Sequence, residues 1–286
     1  MNNTPVPPVP TTDTRPTPPL RRAVQHWGVR IAVAFSLLII ALFLLYPPVS
    51  FDGKTWSVGR AVCHQLPTHS FTVNGQQLPL CARCTGIYLG AVMGLTGFFL
   101  MRRLRSVQWP PTPILATLVG FIVILGVDGV NAFLHDLPNA PSLYEPQNWL
   151  RLVTGTFHGL AMIAILMPVV NETLWHPAVA NPEPIIKNFR ELAGFMLGGA
   201  AIIGLVLWRP PFMLYPLTFF SSFGVVLMLT LICTVFAVMI LRREGSARTG
   251  NDIVPALLLG LALAILIIWG MNGFRDAIGA LVGVPI

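Results

Sequence analysis

Residues 213–241 read MLYPLTFFSSFGVVLMLTLICTVFAVMIL, bounded by Arg209-Pro210-Pro211 before and Arg242-Arg243 after. No Asp, Glu, Lys, Arg or His interrupts the stretch. An α-helix needs roughly 20 such residues to cross the hydrocarbon of a bilayer, where each backbone group must be satisfied within the segment. This run is longer than that, so it predicts a helix that tilts or begins in the interface. Further apolar runs at 31–46, 84–101, 113–134, 150–170, 192–208 and 254–273 bring the expected spans to seven. The 192–208 run is the shortest, and Arg209-Pro210-Pro211 joins it to 213–241 as a helical hairpin. The 31–46 run stops at Pro47-Pro48; its long polar leader and lack of a small-residue cleavage site favour an uncleaved first span over a signal peptide.

Composition agrees with an all-α integral membrane protein. Charged residues are 10% of the 286, against about a quarter in soluble domains, and mean hydropathy is +0.71. The net charge of +7 does not indicate nucleic-acid binding, because only two of the 18 cations are Lys and most Arg flank apolar runs. With the N-terminus inside, twelve cations lie in the cytoplasm and six outside, so the count predicts N-in, C-out in the cell membrane. Residues 1–28, Pro-rich and poor in apolar groups, are expected as a disordered cytoplasmic tail, and 29–286 as the membrane domain. The spacings Gly86/Gly90/Gly94 and Gly194/Gly198 predict two closely packed helix faces.

The loop at about 47–83, external in this topology, together with the start of the second span holds three of the four cysteines: Cys63-His64-Gln65, then Cys81-Ala-Arg83-Cys84. Between them Asn74-Gly75 predicts a type I′ hairpin that folds the first arm back on the second. Three thiolates and an imidazole form a tetrahedral zinc set, and Cys81-x-x-Cys84 has the chelating spacing. Cys63, Cys81, Cys84 and His64 are the expected ligands; adjacency to Cys63 strains His64, so His69 or His135 is an alternative fourth. The competing chemistry is redox: an external Cys-x-x-Cys at a helix start favours low thiol pKa and disulfide formation. Cys233, inside the long apolar run, reads as a small buried residue.

A second group of polar residues lies near the same side. Asp128, Asn131 and His135 fall on one helical stripe, as do Arg151, Thr154 and His158. Ionisable groups at membrane depth are costly unless paired, so Asp128 and Arg151 are expected to pair. Asp128, His135 and Arg151 are the catalytic candidates; Arg83, Asn131 and Arg151 would bind an anionic substrate or lipid head group. Segment 171–191 reads as a solvated connector, and the residues after Gly273 as an interfacial helix.

The run Cys63-His64-Gln65 with Pro-Leu-Cys81-Ala-Arg83-Cys84-Thr85-Gly86-Ile87-Tyr88-Leu-Gly90 resembles the signature of a prokaryotic membrane-protein family known as a domain of unknown function. The resemblance extends through Asp128-Gly129 and Arg151-x-x-Thr154-Gly155, over about residues 58–160. It implies a multi-pass membrane protein and carries no established activity. His69 stands where the family often has Arg before Ser-Phe. The leading expectation is a membrane protein with an extracytoplasmic zinc-type Cys/His centre beside an Asp/Arg/His pocket: four filled protein positions make the ion structural, and an open fourth makes it a metal-dependent enzyme acting on an anionic or lipid substrate. A quinone-linked thiol–disulfide oxidoreductase and a transporter are the alternatives.

Overall fold

The computed structural model describes residues 19–138 and 141–283. Most of the expected tail lies outside these residues, but helix α1 (Pro19–Leu45) begins within the segment assigned to it. Next come α2 (Phe51–Val62), a hairpin of β1 (Ser70–Val73) and β2 (Gln76–Cys81), and α3 (Ala82–Leu100). A short β3 (Ser106–Gln108) precedes α4 (Thr112–Asp136) and α5 (Asn148–Leu174). The chain then forms β4 (Asn181–Pro184), α6 (Phe189–Trp208), α7 (Leu214–Ile240) and α8 (Gly250–Val282). All of the helices except α2 are long and apolar enough to cross a membrane, giving the seven spans predicted.

The α2 helix was not anticipated. Ser50 caps it, its Oγ accepting from the Gly53 N–H at 3.2 Å, and Asp52 in the first turn complements the helix dipole. It buries Thr55, Val58 and Ala61 on one stripe. The predicted turn is present: Asn74 and Gly75 have φ of 50° and 77°, the left-handed pair that a two-residue hairpin needs, and Val73 faces Gln76 across it.

Helices α3 and α5 interlock through glycines from both sides. A Cβ on Gly86 would stand 2.5 Å from the Leu152 carbonyl oxygen; on Gly90, Gly155 or Gly159 it would run into the backbone of Thr156, Arg83 or Ile87. Only a bare backbone permits that approach. The other predicted small-residue face fails, since Gly194 has no atom of another element near it and Gly198 meets only Met93.

The 171–191 segment is also not the solvated connector expected. Ile185 and Ile186 are fully buried, Asn171 donates to the Ser106 carbonyl at 2.8 Å, and β4 pairs in parallel with β3. Buried Arg103 binds Glu191 at 2.8 Å and the Pro184 carbonyl at 2.7 Å. Of its charges, Glu191 is thus taken by Arg103, 88 residues away in sequence, while Glu183 and Lys187 pair with each other at 2.8 Å.

Candidate metal centre and the ion-pair node beside it

Cys63 follows the last turn of α2, Cys81 ends β2 and caps α3, and Cys84 lies in the first turn of α3. The hairpin brings these points together, and the three sulfurs lie within 4.8 Å of one another. Sulfurs around a tetrahedral ion at ~2.3 Å stand about 3.8 Å apart, so the trio is within a small adjustment of that geometry. All three cysteines are free. The Cys63 sulfur accepts the backbone N–H of Cys81 at 3.2 Å and of Gln65 at 3.4 Å. Hydrogen bonds from the Cys81 and Cys84 thiols push the Cys63 thiol well down, and the same contact pushes Cys81 up, to about 11. Donors on several sides thus favour the thiolate form at Cys63, the form that binds a soft cation or attacks a disulfide.

Around the trio the chain is apolar: Val58, Ala61, Leu80, Val225 and Ile268 pack against the cysteines. Gln65 pins the loop by donating to the Pro79 and Trp56 carbonyls at 2.8 and 3.1 Å. Arg275 of α8 reaches across to the Arg60 and Cys63 carbonyls at 2.6 and 2.7 Å. That brace was not read from the sequence; distant residues meeting on α2 leave no local signal.

Among the described residues, the group of mutually close ligand atoms stops at the three sulfurs. His64 turns outward, its Nδ1 accepting from the Leu66 N–H at 3.1 Å, and its ring meets that of His69 edge-on at 5.3 Å. His69 lies 3.7 Å from the Asp136 carboxylate, and His135 is exposed beside Ser142.

The second group sits on the other side of the α3 N-terminus. Cys81 and Cys84 are three apart and share a face, whereas Arg83 projects elsewhere and meets α4. Its guanidinium binds Asp128 through Nη2 at 2.6 Å and Nε at 3.1 Å. Arg83, not Arg151, is thus the ion-pair partner of Asp128, because the glycine lock sets α3 against α5 with Arg83 facing α4. Arg151 is buried and donates to Asn148 at 3.0 Å. Asp128 is 2% exposed; its Oδ1 accepts from the Tyr144 hydroxyl at 2.8 Å, and Thr154 approaches Oδ2 at 3.4 Å. Asn131 accepts from the Leu143 N–H at 2.7 Å and donates to the Tyr144 carbonyl at 3.0 Å. Both side chains thus hold the Leu143–Tyr144 stretch. Burial, with the bond to Asp128, pushes the Tyr144 phenol up to about 12.

Residues 63–165 match the family described as "Predicted membrane protein (DUF2085)". An uncharacterized protein of Methanothermobacter thermautotrophicus is 31% identical over 117 residues, covering 41% of this chain and 94% of that one. The chain belongs to this family. An uncharacterized protein of Methanocaldococcus jannaschii, MJ1492, is 25% identical over 163 residues, 53% of this chain and 97% of the relative. No solved structure matches the chain. The family stretch runs from Cys63 through the hairpin, α3, α4 and most of α5, so it contains both groups of residues.

Proposed function

We propose that this membrane protein carries a zinc-type centre on Cys63, Cys81 and Cys84, facing the extracytoplasmic side. The carrying observation is the trio of free sulfurs within 4.8 Å, one of them favoured as the thiolate. The excess of cations at the opposite end supports the orientation. Three protein sulfurs leave a fourth position, which His64 takes by swinging inward in a structural site or a water takes in a catalytic one. In the catalytic reading Cys63, Cys81 and Cys84 would hold an ion that supplies hydrolytic chemistry toward an anionic or lipid-borne ester, and Arg151, a buried cation with a neutral amide partner, would bind the substrate's negative charge. Asp128 supports that chemistry as the anchor of Arg83.

The redox reading keeps one specific observation in its favour: a depressed Cys63 thiol beside two others is also what thiol–disulfide exchange requires. Elemental analysis with thiol counting separates the two. Detergent-purified protein should hold about one metal per chain, lost in Cys81→Ser and Cys84→Ser with release of titratable thiols. No metal, together with two thiols that titrate only after reduction, would sink the metal centre and establish exchange chemistry instead.

A further inference from the structure

Where α1, α2 and α8 meet at the cysteine end of the bundle, they enclose a cavity of about 940 Å³. Three aromatic side chains line it, Tyr46, Trp56 and Trp269, with Tyr46 edge-on to Trp269 at 6.2 Å. Its charged lining is Asp52, Arg60 and Asp276, two carboxylates to one guanidinium. Arg60 binds Asp276 at 2.7 Å, while the Asp52 carboxylate has no ion-pair partner among the described residues. The nearby Lys54 ammonium is turned away onto the Phe43 and Tyr46 carbonyls that end α1. Asn272 also lines the cavity, its Nδ2 committed to Ser57.

Each feature selects a ligand property. Aromatic faces and a spare carboxylate attract a cation. The exposed Asp52 carboxylate accepts charge-assisted N–H hydrogen bonds, which a primary ammonium can donate. A guanidinium beside the carboxylates accommodates a phosphate. The cavity lies at the end of the apolar stretch of α1, and exposed Leu38, Leu42 and Leu45 of α1 with Ile267 and Met271 of α8 continue from it along two helices long and apolar enough to span a bilayer. We infer that it holds the head group of a primary-ammonium zwitterionic phospholipid, phosphatidylethanolamine in chemistry, with its acyl chains along the α1–α8 flank. A quaternary ammonium suits the rings but has no N–H for the Asp52 carboxylate, and an anionic head group brings no cation to either. The site shares the last turn of α2 with the sulfur trio, but its occupancy does not depend on metal at the cysteines.

The test is native mass spectrometry of the full chain released from micelles containing equal amounts of phosphatidylethanolamine, phosphatidylcholine and phosphatidylglycerol with identical chains. One phosphatidylethanolamine per chain should be retained at about fivefold or more over the others. Asp52→Asn, on an exposed side chain that leaves the fold intact, should bring it down to the phosphatidylcholine level, and Trp269→Leu should do the same. Equal retention of all three lipids, or full preference in Asp52→Asn, would overturn the inference. Excess glycerophosphoethanolamine, which lacks chains, should not displace the lipid; displacement would show a soluble amine site and overturn the lipid assignment.

Discussion

The two sides of the α3 N-terminus make opposite use of buried polar chemistry. On the α4–α5 side, Asp128 is a closed node, its oxygens taken by Arg83, Tyr144 and Thr154. On the α2–α8 side, three sulfurs face one another in apolar surroundings, donors favour the thiolate at Cys63, and among the described residues no fourth ligand atom joins them. A satisfied network holds structure, whereas a cluster with spare valence is where a ligand or reagent enters. The comparison therefore assigns structural work to Asp128 and chemistry to the cysteines, two roles that the sequence placed in one pocket.

Asp128→Ala should expose the contrast most strongly. Removing one member of a buried ion pair leaves the other uncompensated, a loss of about 3–5 kcal/mol. Thermal unfolding in detergent should show that loss at an unchanged metal content per folded chain. Metal lost in proportion to a folded, soluble fraction of this variant would merge the two groups into one site. Asp128→Asn, which keeps the shape and the Tyr144 contact, should be milder in the same direction.

The spans were legible because an uncharged run long enough to cross a bilayer has few alternatives, and the hairpin because Asn74-Gly75 supplies two left-handed residues in succession. Helix rotation was not legible. Arg151 and Asp128 each sit on a polar stripe, but which cation meets Asp128 depends on how α3 turns against α5, fixed by backbone contacts between residues some 70 apart in sequence, such as Gly86 and Thr156. The rotation was partly recoverable, since Cys81 and Cys84 on one face force Arg83 off it. The α2 helix escaped because it is twelve residues long and only mildly apolar, although Ser50 and Asp52 marked its start. His64 was expected as a ligand because an imidazole completes a tetrahedral set with three thiolates; its Nδ1 instead accepts from the Leu66 N–H and the exposed ring turns outward, the strain that adjacency to Cys63 had signalled.

A smaller effect should come from the scaffold that sets both sides in place. Gly159→Val puts side-chain atoms against the Ile87 backbone and forces α3 and α5 apart. Overpacking of this kind costs about 1–3 kcal/mol. Because Arg83 and Cys84 ride on the same helix end, this substitution should both lower the melting temperature and weaken metal retention. A variant that melted earlier with metal affinity unchanged would show that the hairpin, not the helix pair, positions the sulfurs.

Tyr144→Phe tests the closed node most finely. The phenol donates to Asp128 Oδ1 at 2.8 Å, and its loss should cost about 1 kcal/mol near neutral pH, as for one hydrogen bond to a charged acceptor at a partly exposed site. The pH dependence has a definite sign. The folded phenol titrates at about 12, above its ordinary value of 10, so the folded state keeps its proton after the unfolded chain has released it. The stabilisation is complete below pH 10 and disappears as pH rises from 10 through 12. The gap between wild type and Tyr144→Phe, measured by thermal unfolding from pH 8 to 11.5, should therefore be constant at first and narrow above 10. Other groups titrate in both proteins and cancel in the difference. A gap that stayed constant to the alkaline limit would mean that the hydroxyl does not hold Asp128 in solution, and the node would be open on that side after all.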